Sequence, residues 1–141
     1  MSLYGQLGLG FSADSFEPGL GMEKSKVMEP RKIEALNDET ISKIFCGSTF
    51  SLFLTNNGEL YGCGMNDLGQ LGEDISNDLS VLENARIGKN QTSDITIPTQ
   101  VSSLQGISIN TVACGESHVL AIDGDKDSRN MLWAWGQFKN G

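Results

Sequence analysis

The stretch Cys46–Gly72, which reads CGSTFSLFLTNNGELYGCGMNDLGQLG, decides how this chain folds. It holds two short apolar runs, Phe50–Leu54 and Leu60–Cys63, separated by Asn56-Asn57-Gly58. An Asn-Gly pair between apolar runs is a strong β-hairpin signal, because both residue types tolerate the positive φ angles of tight turns. The segment that follows, Gly64–Gly72, is rich in glycines that suit turns better than strand or helix interiors. The stretch therefore predicts a hairpin followed by a glycine-rich loop.

The same pattern recurs later in the chain at regular spacings. At a spacing of 68 residues, the matched positions are Pro30, Cys46, Gly47, Leu52 and Leu54 with Pro98, Cys114, Gly115, Leu120 and Ile122. After the hairpin turn the spacing is 72, because Asp123–Asn130 is longer than Thr55–Gly58. Tyr61–Gly64 then corresponds to Trp133–Gly136. The opening string GQLG at residues 5–8 also repeats residues 69–72.

Each unit contains short apolar runs of strand length and no long amphipathic helical pattern. The predicted strands are Pro30–Leu36, Ile41–Cys46, Phe50–Leu54, Leu60–Cys63, Ile97–Leu104, Ile109–Cys114, His118–Ile122 and Met131–Trp135. Four short antiparallel strands per unit are typical of a β-propeller blade, and one blade cannot bury both faces alone. We therefore predict an all-β chain, residues 1–141, with about two blades of four-stranded antiparallel sheets. The repeat units are predicted at residues 30–72 and 98–141.

Two long polar segments, residues 11–29 and 73–97, interrupt the strand pattern. Loops of this length within a compact domain are usually functional or disordered. The second segment contains Leu79–Ala85, whose spacing suits a short amphipathic helix. Its acidic side chains are candidate partner contacts that would face a basic surface and speed association: Glu73, Asp74, Asp78 and Glu83. The alternative is an insertion with no binding role.

The ordered combination of these motifs resembles the regulator of chromosome condensation repeat family. The residues that carry the resemblance are Cys46-Gly47 with Asn57–Gly72, and Val112–Ile122 with Leu132–Gly136. The family resemblance implies a seven-bladed β-propeller. This chain would then hold the last strand of a preceding blade, one complete blade and three strands of the next. The structural repeat positions that it implies are Cys46, Gly47, Gly64, Gly69, Gly72, Cys114, Gly115, His118, Trp135 and Gly136.

Two positions depart from the family pattern. Tyr61-Gly62-Cys63 stands where the family usually has an alanine-tryptophan pair before the glycine. Phe50 stands where the family prefers the histidine that is seen at His118.

The sequence offers no convincing catalytic, cofactor or metal site. His118 is the only histidine, so a triad or histidine metal site lacks partners, and a packed structural histidine is the favoured interpretation. Asp123, Asp125 and Asp127 have D-x-D-x-D spacing without the glycine and distal glutamate of a calcium loop. Gly64–Gly69 is not followed by the Lys-Ser/Thr of a phosphate loop. We therefore expect a non-enzymatic chain with no cofactor and no metal.

Composition narrows the class of partner and the compartment. The formal net charge of −8 disfavours direct nucleic-acid binding, and acids interrupt the loose basic patch at residues 24–32. The three cysteines form no CxxC pair, which favours a reducing compartment over a disulfide scaffold or a zinc site. The N-terminus lacks the pattern of a signal peptide, and no apolar run reaches the length of a membrane span. We expect a cytoplasmic or nuclear protein.

The family resemblance implies a propeller that binds protein partners, in some members as an exchange factor for a small GTPase. The alternative is the scaffold or substrate-binding propeller of a larger enzyme, such as a ubiquitin ligase or a kinase, with its chemistry elsewhere. In either case the open blade faces need covering, by the remaining blades of a parent propeller or by self-association.

Overall fold

A computed structural model describes residues 4–10, 27, 29–72, 94–124 and 130–137. In chain order, the described strands are β1 Ile41–Cys46, β2 Phe50–Thr55, β3 Leu60–Gly64, β4 Ile95–Gln100, β5 Ile109–Cys114, β6 His118–Asp123 and β7 Leu132–Gly136. Two short 3-10 helices accompany them, at Glu34–Leu36 and Ser102–Leu104. The strands form a four-stranded sheet in the order β1-β2-β3-β4 and a three-stranded sheet in the order β5-β6-β7. Every strand pair is antiparallel, which confirms the predicted fold class.

The β2–β3 hairpin closes over a three-residue loop, Asn56–Gly58. The Thr55 N–H donates to the Glu59 carbonyl at 2.9 Å, and the Gly58 N–H donates to the Thr55 carbonyl at 3.1 Å. Gly58 has φ +83°, a conformation that residues with a side chain rarely adopt. The glycine of the Asn-Gly pair is therefore the residue that lets the chain reverse.

The hydrogen bonds that connect the strands repeat at the spacing found in the sequence. The matched pairs are Asn56 N–H to Thr40 O with Gly124 N–H to Ser108 O, and Gly47 N–H to Phe50 O with Gly115 N–H to His118 O. The two 3-10 helices also correspond to each other at a spacing of 68. The sequence repeat is therefore a repeat of backbone structure.

The two sheets share one hydrophobic core. Its buried members are Phe50, Leu52, Leu54, Leu60, Leu71, Val101, Leu104, Ile109, Val112, Val119 and Ala121. Trp133 and Trp135 pack against this core from the second sheet. A smaller cluster of Leu36, Phe53 and Cys63 lies on the other face of the first sheet. The blades therefore stack face to face, as propeller blades do.

The outward faces of the two sheets expose positions whose repeat counterparts are buried. Leu52 is 0% exposed and its counterpart Leu120 is 36% exposed. Leu60 and its counterpart Leu132 are 2% and 67% exposed. On the opposite outward face, Ile44 is 63% exposed while its counterpart Val112 is 6% exposed. Leu120 is exposed because no neighbouring sheet lies against its face within the described residues.

Two predicted strands are wrong or displaced. Pro30–Leu36, which was predicted as the last strand of a preceding blade, forms no strand and ends in the 3-10 helix Glu34–Leu36. No strand in the described ranges lies beside it to complete a ladder. The run Ile97–Leu104 divides into β4 and the second 3-10 helix. Residues 4–10 form turns and bends. The Gly8 N–H donates to the Gly5 carbonyl, as Gly72 does to Gly69.

Several predicted features lie outside the described residues. They are the acidic positions Glu73, Asp74, Asp78 and Glu83, the possible helix Leu79–Ala85, and Asp125 and Asp127 of the D-x-D-x-D pattern.

Candidate partner-binding site

The turn around Gln70 is held by its own side-chain amides. Asn66 Oδ1 accepts from the Leu71 N–H at 2.8 Å, and Gln70 Oε1 accepts from the Leu68 N–H at 2.9 Å. Asn66, Gln70 and Leu71 are all buried. Buried amides bonded to backbone groups fix the backbone of a turn, so the carbonyl of Gln70 has a defined direction.

That carbonyl faces the second sheet. The Trp135 Nε1–H donates to Gln70 O at 3.0 Å, and the Ser103 hydroxyl donates to Gly72 O at 3.0 Å. A Cβ added to Gly72 would lie 3.0 Å from Val101 Cγ1, so the turn packs closely against the next unit. The turn of one unit thus connects it to the sheet of the next.

The equivalent turn at Gln6 contacts the first sheet in the same way. Its carbonyl accepts from the Ser51 hydroxyl at 2.8 Å and from the Cys63 thiol at 3.6 Å. The Gln6 side-chain oxygen accepts from the Tyr4 N–H at 3.0 Å, which matches the bond from Leu68 to Gln70. We call these two contacts the Gln6 junction and the Gln70 junction.

The Gln6 turn also brings together the ends of the two long polar segments. The Gly10 N–H donates to Thr96 O at 3.0 Å. A Cβ added to Gly5 would lie 2.7 Å from Thr96 Cα, so the backbones of these two parts of the chain are in close contact. Gly10 precedes segment 11–29, and Thr96 lies in β4, because the strand begins at Ile95, inside the predicted loop 73–97. One end of each segment is therefore attached at the same place on the scaffold.

Most of the predicted repeat glycines lie at crowded points of the blades, and Gly69 is the exception because no heavy atom lies within 4 Å of an added Cβ. A Cβ at Gly64 would collide with the Thr49 carbonyl, and one at Gly136 would collide with the Ser117 carbonyl. Gly47 lies beneath the Phe50 ring, and Gly115 lies beneath the His118 ring in the same way. His118 thus packs over a glycine at the position that Phe50 fills in the first unit.

Two of the three thiols, Cys63 and Cys114, and the Asp123 carboxylate are poorly suited to catalysis. Burial, with a smaller contribution from nearby Cys46, raises the pKa of Cys63 to about 12 and that of Cys114 to about 11. Both remain protonated near neutral pH, and the thiol is a weak nucleophile. The Asp123 carboxylate accepts from the Met131 N–H at 2.6 Å and from the Trp133 indole N–H at 3.1 Å. Its oxygens are thus engaged within the hairpin.

Within the described ranges, no three or more His, Cys, Asp or Glu side chains gather as a metal-binding group. Those ranges also contain no helix with the length and apolarity needed to span a bilayer.

The junction contacts could not be found by inspecting residue types. Their acceptors are main-chain carbonyls, and Ser51 has no distinctive sequence context. The only sequence signal was the recurrence of Gly-Gln-Leu-Gly at residues 5–8 and 69–72.

Comparison with known proteins agrees with this geometry. Two models described as the regulator of chromosome condensation (RCC1) repeat match the chain, one at residues 41–70 and the other at 2–54 and 57–122. Probable E3 ubiquitin-protein ligase HERC4 of Rattus norvegicus is 32% identical over 98% of this chain and 15% of its own length. Ultraviolet-B receptor UVR8 of Arabidopsis thaliana is 34% identical over 99% of this chain and 24% of its own length.

A solved structure shows the same fold. Prp20p from Saccharomyces cerevisiae superposes with a TM-score of 0.64 at 23% identity, over 96% of this chain and 27% of that chain. The chain thus spans about a quarter or less of the relatives that it matches. The repeated sheets, the glycine turns between them and the matching models show that the chain belongs to the regulator of chromosome condensation (RCC1) repeat family.

Proposed function

We propose that this chain is a non-catalytic part of a partner-binding propeller, and that segments 11–29 and 73–97 carry the partner contacts. The observation that supports this most directly is the bond from Gly10 to Thr96, which attaches one end of each segment at a common point. Long loops held at one place on a rigid scaffold are a common way to build a binding surface.

Charge favours a basic protein surface as the partner. The chain has a formal net charge of −8, and four of its acids lie in the first part of segment 73–97: Glu73, Asp74, Asp78 and Glu83. Opposite charges across an interface speed association. The relative Prp20p is described with binding properties to Gsp1p and histones, so one relative has protein partners of its own.

The finer proposal is that the parent protein is an exchange factor for a small GTPase. Such a factor binds the nucleotide-free state of its partner more tightly than the loaded state, and needs no bond chemistry of its own. The test is release of a fluorescent GDP analogue from purified small GTPases. Faster release with the full-length protein supports exchange activity, and an unchanged rate excludes it.

A second candidate is the scaffold or substrate-binding propeller of a larger enzyme. The similarity to HERC4 favours it, because that relative is named as a probable ubiquitin ligase and this chain matches only 15% of it. In this case the full-length protein would transfer ubiquitin while the 141-residue chain would not. A ubiquitin-transfer assay on both proteins distinguishes the two candidates.

The role of segment 73–97 is tested by deleting Ser76–Ser93 from the full-length protein. We expect partner binding to weaken while the thermal unfolding midpoint changes little. A deletion that leaves binding unchanged contradicts the proposed role of this segment.

The charge argument needs its own variant and a matched control. Glu73, Asp74, Asp78 and Glu83 are changed together to the corresponding amides, with purified core histones as the basic probe. The control makes the same change in charge at exposed acids elsewhere: Glu34, Asp38, Asp67 and Glu116. We expect the first variant to lower the association rate at low salt by about tenfold, and the control to lower it much less. Equal losses would mean that only the overall charge matters.

A further inference from the structure

We propose that Asn57 is a modification site, where spontaneous deamidation replaces the peptide bond to Gly58 with an isoaspartyl bond and detaches the β2–β3 hairpin from the second sheet. The only reagent is water, and the reaction needs no enzyme. This inference concerns the scaffold, so it does not depend on the proposed function.

The Asn56–Gly58 turn contains the residue pair that favours this reaction. Deamidation begins when the main-chain nitrogen of the next residue attacks the side-chain amide carbon of an asparagine. A glycine in that next position has no Cβ to hinder the approach. Within the described ranges, Asn57-Gly58 is the only asparagine-glycine pair. The other described asparagines precede larger residues: Asn37, Asn56, Asn66, Asn110 and Asn130.

The side chain of Asn57 is accessible to water. It is exposed at the tip of the hairpin, beyond the last residue of β2 and the first of β3. Its amide makes no hydrogen bond within the described part of the chain. Asn66 differs in both respects, because it is buried and its Oδ1 accepts from the Leu71 N–H at 2.8 Å. Of these two turn asparagines, only Asn57 therefore has an amide that is free to react.

The reaction is balanced with water alone. The nitrogen of Gly58 forms a bond to Cγ of Asn57, the bond from Cγ to Nδ2 breaks, and ammonia leaves with the proton that the Gly58 nitrogen gives up. Water then adds to one of the two carbonyl carbons of the succinimide ring that has formed. Addition at Cγ gives ordinary aspartate. Addition at the main-chain carbon leaves Gly58 attached through Cγ, which gives isoaspartate and lengthens the backbone by one carbon atom.

The folded turn slows the attack without preventing it. The Gly58 N–H donates to the Thr55 carbonyl at 3.1 Å. A nitrogen that is held in this way is a poor nucleophile, so the turn opens before the nitrogen of Gly58 reaches Cγ of Asn57. Local opening of a loop costs less free energy than unfolding of the whole chain. The rate of modification therefore depends on how often this one turn opens.

Gly58 is also the point at which the hairpin is attached to the second sheet. Its carbonyl accepts from the N–H of Ile109, the first residue of β5, at 2.8 Å. A Cβ added to Gly58 would collide with the Ser108 hydroxyl oxygen, so the contact has no spare room. An additional backbone carbon next to Gly58 cannot be accommodated there. Isoaspartate at position 57 therefore displaces the Gly58 carbonyl, and the Ile109 N–H loses its acceptor.

The first test measures the rate of modification at each asparagine. The full chain is incubated in mildly alkaline buffer with and without urea, and its peptides are analysed by mass spectrometry with fragmentation that distinguishes isoaspartate from aspartate. In the folded chain we expect Asn57 to lose its amide at least about tenfold faster than Asn56, because only Asn57 precedes a glycine. Urea should increase the rate at Asn57, because it releases the Gly58 N–H from Thr55. Equal rates at Asn56 and Asn57, or a rate that urea leaves unchanged, overturn the proposed route.

The second test asks whether isoaspartate detaches the hairpin. All samples carry Asn140→Gln, which removes the other asparagine-glycine pair of the sequence, so anion exchange separates chains modified at Asn57 from intact ones. Asn57→Asp is the matched control, because it has the new charge on an ordinary backbone. Hydrogen exchange of the Ile109 amide is then followed by NMR.

We expect the Ile109 amide to exchange at least about fivefold faster in the modified chain than in Asn57→Asp, which corresponds to the loss of one hydrogen bond. The Asn57→Asp chain should exchange at nearly the same rate as the intact chain. Equal exchange in the modified chain and in Asn57→Asp overturns the proposal, because the added backbone carbon would then have no effect on the contact with the second sheet.

Discussion

The Gln70 and Gln6 junctions use the same acceptor with different donors. In both, the carbonyl of the glutamine in Gly-Gln-Leu-Gly faces the next sheet. At the Gln70 junction one indole N–H reaches it, from Trp135 at 3.0 Å. At the Gln6 junction the Ser51 hydroxyl reaches it at 2.8 Å, with the Cys63 thiol at 3.6 Å. The repeat thus keeps the position of the acceptor while the donor changes.

Trp135 and Cys63 differ in size, and a side chain on the neighbouring strand offsets this difference at each junction. Trp135 packs in the same core as Ala121, and their counterparts Cys63 and Phe53 pack together in the smaller cluster. One junction therefore combines a large residue on β7 with a small one on β6, and the other combines a small residue on β3 with a large one on β2. Total volume is roughly conserved, which is what close packing requires. The two junctions therefore fill equivalent positions with opposite combinations of a large and a small side chain.

The largest effect is expected from removing the indole at the Gln70 junction. Trp135→Ala should lower the free energy of unfolding by about 3 kcal/mol, the lower end of the usual range because Trp135 is only half-buried. Trp135→Phe should cost about 1–2 kcal/mol, since most of the apolar contact remains and the N–H to Gln70 is lost. Urea unfolding of both variants and of the unmodified chain measures these changes in the free energy of unfolding. Equal losses would mean that the hydrogen bond contributes nothing.

The next effect tests whether volume is balanced at the Gln6 junction. Cys63→Trp alone should destabilise by about 2 kcal/mol, because the buried site next to Phe53 has no room for an indole. Adding Phe53→Ala should recover most of that loss and give a favourable coupling energy in a double-mutant cycle. Urea unfolding of the two single variants and the double variant provides the four states with the unmodified chain. If the losses of unfolding free energy from the two single substitutions simply add in the double variant, the sizes of residues 53 and 63 do not compensate for each other.

A smaller effect is expected at the hydroxyl donor. Ser51→Ala removes the 2.8 Å bond to Gln6 O and should cost about 1 kcal/mol in urea unfolding. Ser42→Ala is the control on the neighbouring strand, where the hydroxyl donates to carbonyls that do not belong to a junction. A larger loss of unfolding free energy for Ser42→Ala than for Ser51→Ala would show that the bond to Gln6 O contributes no more than a hydroxyl bond outside the junction.

The smallest effect concerns thiol chemistry and pH. The pKa of Cys63 in the folded chain, about 12, lies above the ordinary thiol value, so folding favours the protonated form. This contribution to stability is complete below about pH 9 and declines as pH rises toward 12, because the unfolded chain ionises first. At pH 8, a thiol reagent should therefore modify exposed Cys46 and leave Cys63 unmodified until urea is added. Rapid modification of Cys63 in the folded chain would contradict its burial.

The sequence predicted the parts of the fold that local chemistry determines. The hairpin at Asn56–Gly58 and strands β1 and β5 were found because turn residues and alternating apolar runs act over a few positions. Pro30–Leu36 was wrong because a strand also needs a neighbour. The similar pattern at Pro98 contributes Pro98–Gln100 to β4, where β3 lies beside it.

The candidate site was less predictable. Every residue has a main-chain carbonyl, so the residue types do not show that the carbonyl of Gln70 bonds to the next sheet. Likewise, nothing in the residue types joins Gly10 to Thr96, and that bond is what places the two polar segments together. The acidic positions of segment 73–97 remain predictions from charge and location.

The pairing of β4 with β3 also affects how quickly a blade is completed. Gly64 is opposite Ile95, so residues 65–94 form the loop that must close before the fourth strand joins its sheet. Closing a flexible loop costs entropy that falls by about 0.6 kcal/mol for each halving of its length. Deleting Ser76–Ser93 more than halves this loop and should therefore speed the docking of β4. If the segment provides a partner contact, the protein keeps that contact although a shorter segment would let the blade fold faster.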